Sequence, residues 1–136
     1  LSVKKSFALS EFIKTSDGSN LIQGFKRANN ILLQAEKNDG VEYSFGADLK
    51  YAKEDAELNL FSVLDSEEVK IKASLEREDF VEAMNSMANL RAPIDSFFET
   101  VQINSDVDHI RRNRLNLLSR ICKLCLSVAD LTKVEG

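Results

Sequence analysis

The residues of this chain best suited to chemistry are cations and amides, not nucleophiles. Arg111, Arg112 and Arg114 stand close together, and Lys26, Arg27 and Asn30 share a second polar stretch with Gln23, Gln34 and Lys37. Guanidinium and ammonium groups bind phosphate oxygens and carboxamides pair with base edges, so these stretches suit RNA. Solvated helix faces use the same residue types, and that reading competes at each position.

Other chemistry has little material. His109 is the single histidine, and the C-x-x-C of Cys122 and Cys125 has no second pair to complete a usual zinc site. Both cysteines fall on apolar stripes of a helix, away from a helix N-terminus that would stabilise a thiolate, so they read as buried thiols. The acidic clusters Glu54, Asp55, Glu57 and Glu67, Glu68 fall on polar helix faces and read as solubilising. The sequence shows no glycine-rich phosphate loop and no nucleophile elbow. Neither catalysis nor a bound metal or cofactor is expected within the chain.

These residues must be positioned by helices. Val107, Ile110, Leu117, Ile121, Leu124, Val128 and Leu131 recur at steps of three and four, and Leu115, Leu118, Cys122, Cys125 and Ala129 widen that stripe. The result is one long C-terminal helix covered on two sides, around which the rest should pack. Asp108, Arg112, Asn116, Ser119, Lys123, Ser127 and Asp130 form its polar strip, and Ser105 with Asp108 suits its first turn. Arg114 interrupts the apolar stripe, where a guanidinium needs a partner. Asp95 or Glu99, on a short preceding helix begun by Pro93, is nearest in sequence, so a structural pair of Asp95 with Arg114 is expected.

Upstream, the periodicity predicts a helix around Phe7, Phe12 and Ile13 ending near Thr15, a turn at Ser16-Asp17-Gly18-Ser19, and a second helix from about Asn20 to Lys37. From Asn38 to Lys50 the pattern lapses into a long loop, whose Tyr43 and Phe45 suit either base stacking or pinning the loop to the core. Helical period returns at Lys53, with a break or a new start at Asp65-Ser66 and an end near Glu76. Asp79 should cap a further helix that buries Phe80, Ala83, Met84, Met87 and Leu90. No strand alternation competes, so the fold class is all-α, a bundle of about five to seven helices with the long C-terminal helix at its centre.

Composition is consistent with one globular domain spanning 1–136: 43% hydrophobic and 29% charged residues, with no apolar run long enough for a membrane span. The net charge of -4 hides a gradient. Residues 1–37 carry six Lys/Arg against three Asp/Glu, residues 38–100 six against fifteen, and residues 101–136 six against four. Basic ends flank an acidic middle, and the ends could share one positive surface if they meet. Because the chain opens on Leu1 rather than Met, it reads as a piece cut from a longer polypeptide.

One stretch carries a specific resemblance. Leu90-Arg91-Ala92-Pro93, Asp95, Phe97-Phe98, Val101, Asn104 and Arg112-Asn113-Arg114-Leu115 with Leu117-Leu118 resemble, in order and spacing, the anticodon-binding domain of the DALR type. That domain occurs in arginyl-tRNA synthetases and in the beta subunits of bacterial tetrameric glycyl-tRNA synthetases. The flanks Asp17-Gly18, Asn20-Leu21 and Gly24 to Leu32, with the ending Ala129 to Gly136, are similar to the glycyl beta subunits.

The resemblance implies a helical bundle that grips the anticodon end of tRNA(Gly), with glycine activation elsewhere in a cytoplasmic alpha2beta2 enzyme. It implies the alpha subunit as partner and ATP and magnesium as ligands of the parent enzyme, none needed by this piece, which is expected to be monomeric alone. RNA contacts would then fall near Gln102 to Asp106, on Arg111 and Arg112 first, then Lys26, Arg27, Asn30 and Asn104. An arginyl-type domain is the alternative within the family. A helical protein-interaction module, docking through the acidic stretch from Lys53 to Glu82, is the rival outside it.

Overall fold

In a computed structural model, residues 3–129 are described. Six α-helices and one 3-10 turn make up the regular structure of these residues, with no strand among them, as expected. They are α1 (Val3–Lys14), α2 (Ser16–Asp39), α3 (Asp55–Glu76), α4 (Phe80–Ala88), α5 (Arg91–Thr100) and α6 (Asp108–Ala129), with the 3-10 turn at Leu49–Tyr51.

The middle of α6 is the most enclosed part of the molecule. Every residue from Asn113 to Ser119 is buried, so the helix is covered all round there and not on two sides alone. Asn116 and Ser119, placed by the sequence pattern on a polar strip, are therefore inside. The Asn116 NH2 group donates to the Arg112 carbonyl of its own helix at 3.0 Å, while its Oδ1 is buried without a hydrogen-bond partner among the described residues. Leu115, Leu117, Leu118 and Ile121 join Leu60 and Leu64 of α3, Leu21, Ala28 and Leu32 of α2, and Ile94 and Phe97 of α5 in one core. Helix α1 packs chiefly on α2 and α4, leaves Phe7 64% exposed and buries no residue fully.

Corner chemistry explains where the helices start. The Thr15 hydroxyl donates to the Phe12 carbonyl at 2.6 Å and accepts from the Gly18 amide at 3.0 Å, so it closes α1 and caps α2. A methyl group at Gly18 would overlap the Phe12 carbonyl, so this corner requires glycine. The stretch read as a turn at Ser16-Asp17-Gly18-Ser19 is thus the first turn of α2, which begins before Asn20. Asp79 caps α4 as expected, its carboxylate accepting from the Glu82 amide at 3.1 Å.

Two other expectations are corrected. Helix α3 runs unbroken through Asp65-Ser66, its buried face of Leu60, Phe61, Leu64 and Ile71 continuing across them, and Asp65 and Glu68 both bind Arg120 of α6, at 2.6 Å and 2.9 Å. Val107 is 45% exposed and precedes α6, its amide donating to the Ser105 hydroxyl at 3.2 Å. The stripe positions at Asp130 and Leu131 lie outside the described residues.

Candidate nucleic-acid interface

Asn104 and Arg111 meet at the mouth of a groove. Its walls are the second half of α2, with Asn30, Ile31, Gln34, Ala35 and Asn38, and the connection before α6, with Ile103 and Asn104. Arg111 and Leu115 of α6 complete the lining around about 580 Å³. Three of the six residues predicted to contact RNA, Asn30, Asn104 and Arg111, therefore share one site.

The first turn of α6 points Arg111 back at α2 and at the loop that follows it. Its Nε donates to Asn104 Oδ1 at 2.6 Å, and Nη1 donates to Asp39 Oδ2 at 2.9 Å and to the Tyr43 hydroxyl at 3.3 Å. Tyr43 in turn donates to Asp39 Oδ2 at 2.6 Å. The Tyr43 hydroxyl and then the Arg111 guanidinium hold the Asp39 carboxyl below its usual range, while burial and the bond to Asp39 raise Tyr43. Asp39 also raises Arg111. Tyr43 is buried and pins the loop, whereas Phe45 is 94% exposed.

The other three predicted contacts separate. Arg112 is exposed, and its side chain makes no hydrogen bond or ion pair to a described residue. Arg27 lies over the Phe98 ring, 4.6 Å from its centroid, beside a smaller groove lined by Asn20, Gln23, Gly24, Asp95 and Glu99. Lys26 is turned away from both grooves and borders an apolar hollow with Leu9, Phe12, Phe25 and Leu126. The step of one residue between Lys26 and Arg27 swings the side chain about 100° around a helix, which splits a strip that looked continuous.

The ion pair expected between Asp95 and Arg114 does not form. Asp95 takes Arg91 at 3.1 Å, one turn back on the same helix. Arg114 reaches across the core to Glu57 at 2.8 Å and donates its Nη1 to the Gln102 carbonyl at 2.6 Å. Glu57, read as a surface carboxylate, is fully buried and also accepts from the Lys53 and Glu54 amides at 3.1 Å and 2.9 Å. Burial opposes its ionisation, but Arg114 and those two amides outweigh that and hold it below the usual carboxylate range. Burial pushes the Cys122 and Cys125 thiols up to about 11 and about 12; Cys122 is buried as expected, whereas Cys125 is half-buried.

Asp39, Gln34 and Asn38 were not among the predicted site residues. Gln34 lay on the polar stretch of α2 read as suited to RNA, whereas Asn38 and Asp39 fell beyond Lys37, where the sequence pattern ended that helix. Gly40, in the left-handed conformation at φ 67°, carries the helix through Asp39 instead.

Among the described residues, no helix is long and apolar enough to cross a membrane. The family model described as DALR anticodon binding domain matches residues 21–135. The chain is 62% identical over its whole length to a glycine-tRNA ligase beta subunit of Cereibacter sphaeroides and 60% identical to one of Ruegeria sp.. Over 94% of its length it is 41% identical to another of Phenylobacterium zucineum. The chain spans about a fifth of the length of these curated relatives, 19–20%. From the match over residues 21–135, and from a bundle whose R-x-R-L run at Arg112 to Leu115 opens the central helix, the chain belongs to the DALR anticodon-binding domain family.

Proposed function

We propose that residues 1–136 act as one anticodon-binding unit of a glycine-tRNA ligase beta subunit, positioning tRNA(Gly) for aminoacylation performed elsewhere in the enzyme. One observation carries this reading: the groove between α2 and the connection before α6 gathers Asn30, Asn104 and Arg111 over an apolar floor of Ile31, Ile103 and Leu115. Unpaired bases are bound by such a combination of apolar surface and convergent hydrogen-bonding groups. Arg112, exposed one residue beyond Arg111, suits a flanking phosphate.

The relatives' printed name favours the glycyl enzyme over the arginyl one as parent. The parent would be a cytoplasmic assembly with an alpha subunit, binding ATP and magnesium outside this chain. The chain by itself would be a monomer that binds no cofactor.

Binding of the chain to tRNA(Gly) transcripts, with the natural anticodon against a swapped one, at two salt concentrations, tests the proposal. Preferential and salt-sensitive binding to the natural anticodon is expected, since phosphate contacts release counterions. Equal binding to both transcripts, or none, would overturn anticodon readout and favour the surface as a protein-docking face.

A further inference from the structure

The four-residue cluster at the groove mouth limits what kind of ligand atom Arg111 and Asn104 can meet. Arginine has only donors, so the Asn104 atom 2.6 Å from its Nε is an acceptor, the carboxamide oxygen. The Asn104 NH2 group is then the part left for a ligand, and it makes no hydrogen bond to a described residue. On Arg111, Nη1 is occupied twice, by Asp39 and by the Tyr43 hydroxyl, and Nη2 is left over.

Charge points the same way. The Asp39 carboxylate lies 2.9 Å from the guanidinium, so the pair presents little net charge to a phosphate. Tyr43, raised by burial, stays protonated at neutral pH and keeps Asp39 ionised by donating to it, so the arrangement is fixed through that range. The guanidinium is thus held as an oriented set of donors with its charge cancelled, beside the apolar surface of Ile103 and Leu115.

Resting on the anticodon-binding reading above, we infer that Asp39 and Tyr43 hold Arg111 and Asn104 as a donor-presenting pair that reads the acceptor edge of one unpaired base. Asn104 and Arg111 are the specificity-determining contacts. Asp39 and Tyr43 are positioning residues, and Arg112 carries the phosphate contact.

The test uses the chain and anticodon stem-loop hairpins in which each loop base is replaced in turn, with affinity measured across a salt series. Wild-type protein should discriminate about tenfold or more at one loop position, the scale of a good bidentate base contact. Arg111→Lys keeps the charge but loses the fork, and Asn104→Asp keeps the acceptor for Arg111 but removes the NH2. Both should flatten that discrimination to about threefold or less, well under the scale of a bidentate contact. At the sensitive position, exchanging the base's ring-nitrogen acceptor for C–H should abolish the preference.

Arg111→Ala should leave the slope of log affinity against log salt unchanged, whereas Arg112→Ala should lower it by about 0.7 to 1. Retained discrimination in Arg111→Lys, or a slope that falls in Arg111→Ala, would make Arg111 a phosphate contact and overturn the inference while leaving anticodon binding intact. A wild-type chain that discriminates at no loop base would overturn both.

Discussion

Arg114 and Glu57 form a fully enclosed ion pair, Nη2 to Oε1 at 2.8 Å, with side-chain exposures of 7% and 0%. The pair joins the central helix to the first turn of α3, and through the Gln102 carbonyl it also holds the connection that carries Asn104. Replacing Arg114 with Leu strands a buried carboxylate, so Arg114→Leu should lower stability by about 3–5 kcal/mol in denaturant unfolding. Glu57→Gln/Arg114→Met together should recover much of that loss, because neither residue then leaves a buried charge.

The same carboxylate sets an acid limit. Glu57 is held below its ordinary value of 4.5 in the folded chain, so its contribution is complete above that value and disappears as pH falls through the lower folded value. Wild-type protein should therefore lose stability steeply below about pH 4.5. Glu57→Gln, less stable at neutral pH, should show a shallower decline; an identical decline would remove Glu57 as a cause.

Glu78 sits at φ 60° in the turn between α3 and α4, a conformation that favours glycine. Glu78→Gly should raise stability by up to about 1 kcal/mol, the left-handed cost of about 1–2 kcal/mol outweighing the roughly 0.5–1 kcal/mol of chain entropy that glycine loses, read as a higher denaturant midpoint at unchanged slope. A lower midpoint would show that the left-handed backbone costs nothing here.

The Gly18 corner joins α1 to the first turn of α2. Gly18→Ala forces the added methyl onto the Phe12 carbonyl, and α1 has no fully buried residue to resist displacement. In hydrogen exchange, amides of α1 should lose most of their protection while those of α6 keep theirs. Equal losses in both helices would show that α1 is part of the cooperative core.

Lys26 and Asn30 should behave differently despite lying one turn apart. Asn30→Ala should weaken RNA binding about fivefold or more, the scale of one lost hydrogen bond to a base, whereas Lys26→Ala should stay within about twofold. Equal losses would place RNA on the α1 side of α2 as well.

Much of the fold was legible because helix periodicity is a local property. The apolar faces of α2, α4 and α6 follow from spacing within each segment, and the L-R-x-P and R-x-R-L runs at Leu90 and Arg112 identified the family before any contact was known. Local cues failed at boundaries. Gly18 looked like turn chemistry and proved to be a close-packed first turn, and Asp65-Ser66 looked like a helix break and proved to be an ion-pair anchor.

The sequence by itself determined the all-α class, the central position of the last long helix, the family and the residue types of an RNA-binding surface. Only the tertiary structure decided which charges cancel. Arg114 finds Glu57 57 residues away, Arg120 finds Glu68 at 52 and Arg111 finds Asp39 at 72, while Arg112 keeps its charge exposed. Helix period says which side of a helix a cation occupies, but its partner depends on how helices cross in space, and from sequence Arg111 and Arg112 look alike.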